Sequence, residues 1–413
     1  MSNIKFSIVI PTRQRHETLG AAIKTVLNQP YSNFELIISD NYSTIETLEV
    51  VSQFPDNRLR YFRTPKVLSM SNSWEFALSK VTGDYVILFG DDDGLMPYAL
   101  ADLADLINAH GFEVIHWERI YYSWPNIVPE CYANMLTIHL LNVNRVISSN
   151  SVIYPIGKGS AAYTKLPELY NSAVKVSMIS EMRQKTGRIF HSIIPDIYSG
   201  FALAFLAKQY LSVGKPMTIN GGSAKSNGTN YFFSENNMIS KEFLSDELNQ
   251  DFHFHERIPL VKNLYVHIIE PYLRFQEQYS RYGNIKNVSR RHIFKKILNN
   301  IIVYGQDDLE NSIRLIKQAF EYELRTSDWY RDYLRKMKFH VTEKPAEPYQ
   351  TGITDTKAIL NAAELGAFNV FDVSVLCNKI IGSLSYDLKI NKPVAQRLKP
   401  SIIKIIKQLI PRF

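Results

Sequence analysis

Cysteine is scarce in this sequence, and its runs of apolar residues are short. The chain has 413 residues and only two cysteines, Cys131 and Cys377, which lie too far apart for a metal-binding motif and offer no framework of disulfides. No window holds the roughly 18 to 20 uninterrupted apolar residues of a membrane-spanning helix. These absences exclude a small disulfide-stapled protein and predict a chain that does not cross a membrane.

The beginning of the chain also lacks the pattern of a secretory signal, because Met1 to Lys5 runs directly into the strand-like residues Phe6 to Ile10. We therefore expect a cytoplasmic protein. Hydrophobic residues make up 45% of the chain and charged residues 21%, which is typical of folded proteins rather than disordered ones. Since one core stops growing at roughly 250 to 300 residues, two or more domains are expected.

The excess positive charge is confined to one end of the chain. There are 47 basic and 40 acidic residues, and residues 388–413 contain seven basic residues and no acidic one. Such a run predicts adhesion to an anionic surface rather than a nucleic-acid-binding domain. Within it, Ser401 to Ile410 would place isoleucines and lysines on opposite faces of a helix lying in a lipid interface. Docking on the protein's own helices or on a second subunit is the alternative.

Strand and helix patterns alternate over the first 118 residues. The order predicts an α/β fold with a mostly parallel, Rossmann-like sheet and helices on its faces. The predicted strands are 6–10, 34–39, 58–63, 85–89 and 113–117, and the predicted helices are 18–29, 45–53, 71–81 and 97–110. Ligands of such sheets bind beyond the carboxyl ends of the strands, so the residues that follow each strand are the informative ones.

Beyond residue 120 the pattern is less regular. We expect the second half of the same domain over 121–230, a helical region over 231–340, a linker over 341–353 and a helical tail over 354–413. Neither the glycine-rich dinucleotide fingerprint nor the Walker loop is present, so phosphates must be held in another way. Gly221 to Gly228 is either a loop that closes over a ligand or a plain connector.

Three consecutive aspartates, Asp91, Asp92 and Asp93, follow the buried fourth strand and form the strongest chemical signal. Carboxylates this close raise each other's proton affinity unless a cation neutralises them, and Mn²⁺ or Mg²⁺ prefers oxygen ligands of this kind. A solvated acidic turn or a helix cap is the alternative. Because two other polar strand ends share the predicted edge of the sheet, the metal site is the favoured interpretation.

Three blocks of the sequence resemble the family 2 glycosyltransferases of bacterial surface-polysaccharide synthesis. They are Ser-Ile-Val-Ile-Pro-Thr-Arg-Gln-Arg from Ser7, Phe-Glu-Leu-Ile-Ile-Ser-Asp-Asn-Tyr-Ser from Phe34, and Gly-Asp-Tyr-Val-Ile-Leu-Phe-Gly-Asp-Asp-Asp from Gly83. The resemblance implies a GT-A fold over 1–230, with a nucleotide-binding half over 1–120 and an acceptor half over 121–230. It also implies inverting transfer of a hexose or N-acetylhexosamine from a nucleotide diphosphate sugar to a glycan.

Family frequency favours a UDP-sugar as the donor. Adhesion of the basic residues of 388–413 to an anionic surface would bring a lipid-linked glycan acceptor within reach, at the inner face of the plasma membrane. The same resemblance assigns candidate site residues. Pro11, Thr12, Arg13, Asp40, Asn72 and Asp92 would bind the nucleotide, Asp93 would be the direct metal ligand, and Asp91 would support it. The family often has Asp-Asp-Gly-Ser-x-Asp where this chain has Asp40-Asn41-Tyr42-Ser43, so the base of the nucleotide is not predicted.

Asp196 matches the position of the catalytic base in the family. An inverting transfer needs a carboxylate that takes the proton from the attacking hydroxyl. The alternative is that Asp196 only caps a helix that starts at Ile197.

Two other functions remain open at this point. A nucleotidyltransferase also combines a metal with an open sheet, but usually has a glycine-rich loop after the first strand, which Pro11 to Arg15 does not form. A non-catalytic protein that binds sugar nucleotides would keep Asp40 and Asp93 but would have no base. The variant Asp196→Asn separates that protein from an enzyme.

Overall fold

The computed structural model describes residues 3–140, 143–226, 253–303, 305–339, 350–354 and 356–381. In this part of the chain the strands are β1 (Phe6–Thr12), β2 (Phe34–Asp40), β3 (Leu59–Arg63), β4 (Tyr85–Leu88), β5 (Gly94–Leu95), β6 (Val114–Ser123), β7 (Met135–His139), β8 (Arg145–Ser148), β9 (Ser172–Lys175), β10 (Gln209–Gly222), β11 (Gly352–Ile353) and β12 (Lys357–Asn361). The helices are α1 (His16–Leu27), α2 (Ile45–Ser52), α3 (Met70–Leu78), α4 (Ala99–His110), α5 (Ile153–Gly157), α6 (Val176–Thr186), α7 (Pro195–Ala207), α8 (Leu264–Tyr279), α9 (Arg290–Asn299), α10 (Gln306–Ala319), α11 (Glu321–Thr326), α12 (Asp328–Lys336) and α13 (Val370–Ile381).

One mixed sheet joins the strands of these residues. Its main path is β11-β12-β7-β6-β9-β4-β1-β2-β3, and β10 pairs with β5, β6 and β8. β1 is parallel to β2 and to β4, and β2 is parallel to β3. β9 runs antiparallel to both β4 and β6, so β6 points the same way as β1 to β4. The predicted α/β class with a parallel N-terminal half is confirmed.

The central strands are covered on both faces, which is why they read as continuous apolar runs. Ile8 of β1 belongs to the core that contains α1, whereas its neighbour Val9 belongs to the core that contains α3. Leu19 and Ile23 of α1 pack on the first face, and Trp74 of α3 packs on the second. All strands and helices predicted over the first 118 residues occur, and the fifth strand, β6, continues to Ser123 instead of ending at Trp117.

The second core extends from the sheet through α7 into the helices α8 to α12. Phe201 of α7 and Phe275 of α8 stack with their ring centroids 5.8 Å apart. Further along, Phe294 of α9 meets Phe320 at 4.8 Å and Tyr330 at 4.9 Å. The helical region therefore packs directly against the helix that carries Asp196.

Residues 350–381 return to the N-terminal sheet. β12 pairs antiparallel with β7, and its alternate residues Ala358 and Leu360 are buried in the core of α1. α13 packs on α1 and buries Val373 and Cys377 in that core. The predicted helical tail is wrong at Lys357–Asn361, because apolar residues spaced two apart bury one face of a strand and not of a helix.

The longest helix of the described residues is α8, with 16 residues. Among the described helices, none is long and apolar enough to span a bilayer. The basic residues 388–413, including the predicted interfacial helix Ser401 to Ile410, lie outside the described residues.

Candidate active site

Three strand ends form the candidate site. β1, β2 and β4 are parallel neighbours, so their carboxyl ends lie at one edge of the sheet. Thr12 at the end of β1 lies opposite Asp40 at the end of β2. The Thr12 hydroxyl donates a hydrogen bond of 2.6 Å to Asp91 Oδ2. The structure thus brings together predicted residues from the first, second and fourth strands.

Arg15 is the cation that contacts the aspartates. Its Nη1 donates to Asp91 Oδ1 at 3.0 Å and lies 3.7 Å from Asp92 Oδ1. Burial alone would lower the pKa of Arg15, but Asp91 and Asp92 outweigh burial and the pKa is raised. Burial also raises the pKa of Asp91 to about 6, although Arg15 opposes this shift. Two carboxylates, those of Asp91 and Asp92, therefore face this one guanidinium.

Asp93 is held by three donors. The Gly90 N–H donates to Oδ2 at 2.8 Å, the Gly221 N–H donates to Oδ1 at 2.6 Å, and the Tyr170 hydroxyl donates to Oδ2. Burial, followed by the charge of Asp92, raises the pKa of Asp93 to about 8 despite these donors. A cation beside the carboxylate would lower that pKa again, because an opposite charge favours the ionised form.

Asp92 connects the aspartates to the end of β10. Its Oδ2 accepts hydrogen bonds from the hydroxyls of Ser223 at 2.7 Å and Ser226 at 2.6 Å. Its backbone carbonyl accepts from Trp124 Nε1 at 2.8 Å. A Cβ on Gly221 would lie only 1.7 Å from that carbonyl oxygen, so the close approach requires glycine. Up to residue 226, the glycine-containing stretch therefore lines the site instead of running past it.

The donor set fits a hard divalent cation. A Cβ on Gly90 would lie 2.7 Å from the Tyr170 hydroxyl, 3.1 Å from Asp92 Oδ1 and 3.2 Å from Asp93 Oδ2, so this hydroxyl and oxygens of both carboxylates surround the space beside this glycine. Within the described part of the chain, no three His, Cys, Asp or Glu side chains already converge as a metal site. Mg²⁺ is usually bound by one or two carboxylates together with substrate phosphates and water.

Asp40 is fully buried at the end of β2. Its Oδ1 accepts from the Ser43 N–H at 2.9 Å, and its Oδ2 accepts from the Tyr61 hydroxyl at 2.6 Å with Arg63 Nε 3.8 Å away. Burial and the Asp40 carboxylate both raise the pKa of Tyr61, so its hydroxyl stays a donor. These contacts fix the loop that follows β2.

Pro11 and Arg13 are half-buried on either side of Thr12. Asn72, the remaining predicted nucleotide-binding residue, lies in the first turn of α3. Its Oδ1 accepts from Arg188 Nη2 at 2.6 Å, and its N–H donates to the helix-capping Ser69 at 3.3 Å. The recorded side-chain partner of Asn72 thus belongs to the loop before α7, and its nucleotide-binding role stays a prediction.

Asp196 is the second residue of α7, and Ile194 occupies the N-cap position. Asp196 therefore lies inside the first turn and not at the N-cap position, and its role as the base stays a prediction. Burial raises the pKa of this half-buried carboxyl, and the N–H of Ile197 and the charge of Arg119 oppose the shift. A raised pKa makes the carboxylate a stronger base than a free aspartate.

One segment connects α7 to the aspartates. The Leu169 N–H donates to Ser199 Oγ at 3.0 Å, and Ser199 lies one turn after Asp196. The next residue, Tyr170, donates to Asp93 and stacks on Trp74 of α3 with ring centroids 5.9 Å apart. The structure therefore joins the predicted base and the predicted metal ligand through adjacent residues.

Several residues of the site were not predicted from the sequence, namely Arg15, Tyr170, Ser223 and Ser226. Arg15 lies inside the first family-like block, and its position two residues after Arg13 could have signalled it. The other three approach the aspartates from more than seventy positions away along the chain. No spacing of residues in the sequence predicts such contacts.

Comparison with known proteins gives a match to a family model described as Glycosyl transferase family 2, over residues 7–131. The GalNAc(5)-diNAcBac-PP-undecaprenol beta-1,3-glucosyltransferase of Campylobacter jejuni is 34% identical over 114 residues, which are 26% of this chain and 37% of that protein. The UDP-Glc:alpha-D-GlcNAc-diphosphoundecaprenol beta-1,3-glucosyltransferase WfgD of Escherichia coli is 28% identical over 93 residues, 22% of this chain and 37% of that protein. The chain thus spans little more than a third of the length of these relatives.

Among solved structures, the crystal structure of S. aureus TarS 1-349 in complex with UDP-GlcNAc is similar at a TM-score of 0.47 and 15% identity, covering 85% of this chain and 100% of that one. The family match contains all three blocks on which the resemblance was based, together with the strand ends that carry Thr12, Asp40 and the three aspartates. Residues 7–131 are thus similar to glycosyl transferase family 2.

Proposed function

We propose that this protein transfers a sugar from a nucleotide diphosphate sugar to a glycan acceptor, with inversion at the anomeric carbon. The observation that carries the proposal is the cluster of three buried aspartates at the carboxyl edge of the parallel strands, inside the family 2 segment. Its oxygen donors suit a cation that accompanies a diphosphate. Strand ends of an open α/β sheet are also where ligands of such folds bind.

The nucleotide lies across the ends of β1 and β2 in this proposal. Thr12 and Asp92 are linked through Asp91 and Arg15, and Asp40 is fixed by the loop after β2. Pro11 and Arg13 flank Thr12 and line the pocket, with Asn72 at its far side. The donor is a UDP-sugar, which the name of the E. coli relative supports because it specifies UDP-Glc as that enzyme's donor.

Asp93 would hold Mn²⁺ or Mg²⁺ directly, with Asp92 Oδ1 beside it, and Asp91 would support the site. When bound, such a cation neutralises the charge that develops on the departing diphosphate. The protein contributes the orientation of the ligands. Gly90, Gly221 and Tyr170 fix Asp93 by three hydrogen bonds, and Thr12 with Arg15 fixes Asp91 by two.

Asp196 acts as the general base. The hydroxyl oxygen of the acceptor attacks the anomeric carbon as the bond from that carbon to the diphosphate oxygen breaks. Asp196 takes the hydroxyl proton, and the nucleoside diphosphate leaves with the bonding electrons. The raised pKa of Asp196, which burial causes, supports this role because it makes the carboxylate a stronger base.

The acceptor in this proposal is a glycan carried on a polyprenyl diphosphate, in the synthesis of a cell-surface polysaccharide. The names of both relatives describe transfer to sugars linked to diphosphoundecaprenol. Attachment to the inner face of the plasma membrane would come from the seven basic residues of 388–413. Each basic residue near an anionic surface contributes about 1 kcal/mol. Formation of a homo-oligomer stays a separate prediction, and the molar mass from light scattering would test it.

A transfer assay tests the proposal. The purified chain is incubated with a panel of UDP-, GDP- and dTDP-sugars and with undecaprenyl diphosphate N-acetylglucosamine, with and without Mn²⁺. We expect a nucleotide sugar to be consumed when both acceptor and cation are present. Release of pyrophosphate from a nucleoside triphosphate and a sugar phosphate would instead identify a nucleotidyltransferase. Tight binding of a nucleotide sugar without turnover would identify a binding protein.

A further inference from the structure

A buried ion pair lies beside the proposed base and has no role in the function described so far. Arg119 of β6 donates through Nη2 to Oε2 of Glu168, which precedes β9. The exposed fraction is 7% for Arg119 and 1% for Glu168. Burying two charges is costly unless their remaining hydrogen-bonding groups are also satisfied.

Each member of this pair keeps one unsatisfied polar atom. Glu168 Oε1 and Arg119 Nε are both buried without a hydrogen-bond partner among the described residues. Native structures seldom leave such atoms unpaired, because each costs about 1 to 3 kcal/mol, more when charged. One of the two atoms accepts a hydrogen bond and the other donates one, so the pair offers complementary groups side by side.

The pair is located against the helix that carries Asp196. A Cβ on Gly200 would lie 3.1 Å from Glu168 Cγ. Gly200 follows Asp196 by four positions in α7, so both lie on the same face of that helix. The absence of a side chain at Gly200 therefore allows Glu168 to pack on the face that presents the proposed base.

The same segment reaches the proposed metal ligands. Two residues after Glu168, Tyr170 donates its hydroxyl to Asp93. The chain of contacts that leads from Asp93 to Asp196 thus passes through Glu168. If the diphosphate and the base act on opposite sides of the anomeric carbon, the transferred sugar must lie between Asp93 and Asp196. Tyr121, two residues after Arg119 on β6, is 39% exposed, and Asp196 is half-buried.

We propose that Glu168 and Arg119 form a subsite for hydroxyl groups of the sugar of the donor. A sugar hydroxyl both donates and accepts a hydrogen bond, so two neighbouring hydroxyls match Glu168 Oε1 as acceptor and Arg119 Nε as donor. Hydrogen bonds to charged groups are about twice as strong as neutral ones, which suits a specificity-determining contact. Because both atoms are out of contact with bulk water, the sugar must displace the side chains that cover them. This inference rests on the proposed function.

Calorimetric titration with UDP and with the UDP-sugar that the wild type binds tests the subsite, because the difference between the two ligands isolates the sugar. In Glu168→Gln we expect the Kd for the UDP-sugar to rise about tenfold, since a hydrogen bond to a carboxylate becomes one to a neutral amide, while the Kd for UDP stays unchanged. Arg119→Lys is expected to behave in the same way. An unchanged Kd for the UDP-sugar in both variants overturns the subsite and shows an ion pair that is only structural.

Glu35→Gln is the matched control, because Glu35 is also buried and paired with an arginine, Arg60, but lies at the start of β2 on the opposite edge of the sheet. It should leave both Kd values unchanged. Thermal unfolding accompanies each titration, and if Glu168→Gln does not fold, Glu168→Asp and Arg119→Lys decide. If the wild type binds no nucleotide sugar of the panel, the proposed function fails, whereas wild-type binding with unaffected variants contradicts the subsite alone.

Discussion

The hydroxyl of Tyr170 donates to Asp93, so a residue outside the family 2 segment fixes one of the three aspartates inside it. The Tyr170 ring is itself held by stacking on Trp74. The orientation of the proposed metal ligand therefore depends on residues beyond 131 as well as on the segment that matches the family.

Tyr170→Phe is expected to raise the Mn²⁺ concentration that transfer requires, without removing activity. The hydroxyl counteracts the rise in the pKa of Asp93, so its loss leaves Asp93 protonated to a higher pH and in competition with the cation. A titration of transfer activity with Mn²⁺ at pH 7 should require about tenfold more cation, the equivalent of one lost hydrogen bond to a charged group. Tyr31→Phe is the control, because that hydroxyl donates to the Ile4 carbonyl at 2.6 Å, near the other edge of the sheet. Equal Mn²⁺ requirements in the two variants would contradict the expectation.

Asp93→Asn is expected to abolish stimulation by Mn²⁺ and to reduce transfer by about a hundredfold or more, because stabilisation of the leaving group is lost. The unfolding temperature without metal should fall, because asparagine keeps only one acceptor oxygen for the three donors Gly90, Tyr170 and Gly221. Activity assays with and without Mn²⁺, combined with calorimetric unfolding, check both parts. Full Mn²⁺-stimulated activity in this variant would remove Asp93 from the proposed site.

Asp196→Asn is expected to lower kcat by about 10² to 10⁴, the usual contribution of a general base. The Kd for UDP should be unchanged, because in the proposed arrangement the nucleotide lies at the strand ends and not at α7. Steady-state kinetics and calorimetry measure the two quantities separately. Unchanged turnover would show that another group takes the proton.

The elements of the first 118 residues could be predicted because each of them is local. β1, β2 and β4 are buried on both faces and read as apolar runs, and the polar residues after them mark one edge of a parallel sheet. The aspartates could be found for the same reason. The contacts of Tyr170 and Ser223 could not, because they depend on how distant parts of the chain fold together.

Gly221→Ala is expected to destabilise the protein. The added Cβ would lie 1.7 Å from the Asp92 carbonyl oxygen, and a backbone atom cannot turn aside as a flexible side chain can. Overpacking of this kind costs about 1 to 3 kcal/mol. Urea unfolding measures the loss, and Gly352→Ala is the control, because a Cβ there meets nothing within 4 Å. Equal stabilities of the two variants would contradict the close approach.

Glu270 is expected to make stability depend on pH. It is fully buried in α8, and burial raises its pKa to about 7, although the Ser192 hydroxyl and Arg274 oppose this shift. An unfolded glutamate titrates near about 4.3, so between these values the folded chain holds a proton that the unfolded chain has released. The contribution of Glu270 to the free energy of unfolding therefore falls as pH rises from about 4.5 to about 7, and is constant above that range.

Urea unfolding of the wild type and of Glu270→Gln at pH 5 and pH 7.5 isolates this contribution. From pH 5 to pH 7.5 the free energy of unfolding should fall by up to about 3 kcal/mol more in the wild type than in the variant. The variant keeps an oxygen that accepts from Ser192. Parallel pH dependences of the two proteins would show that Glu270 titrates as an exposed glutamate does.

The return of β12 and α13 to the N-terminal sheet limits how this protein can be recombined with its relatives. A chimera that exchanges only the matched stretch 7–131 would place a foreign α1 against the native α13. It would also place a foreign β6 against the native β7, the strand that pairs with β12. Mismatched partners would expose apolar surface at both seams. Transplanting donor specificity between such enzymes would therefore require moving two separate stretches of sequence together.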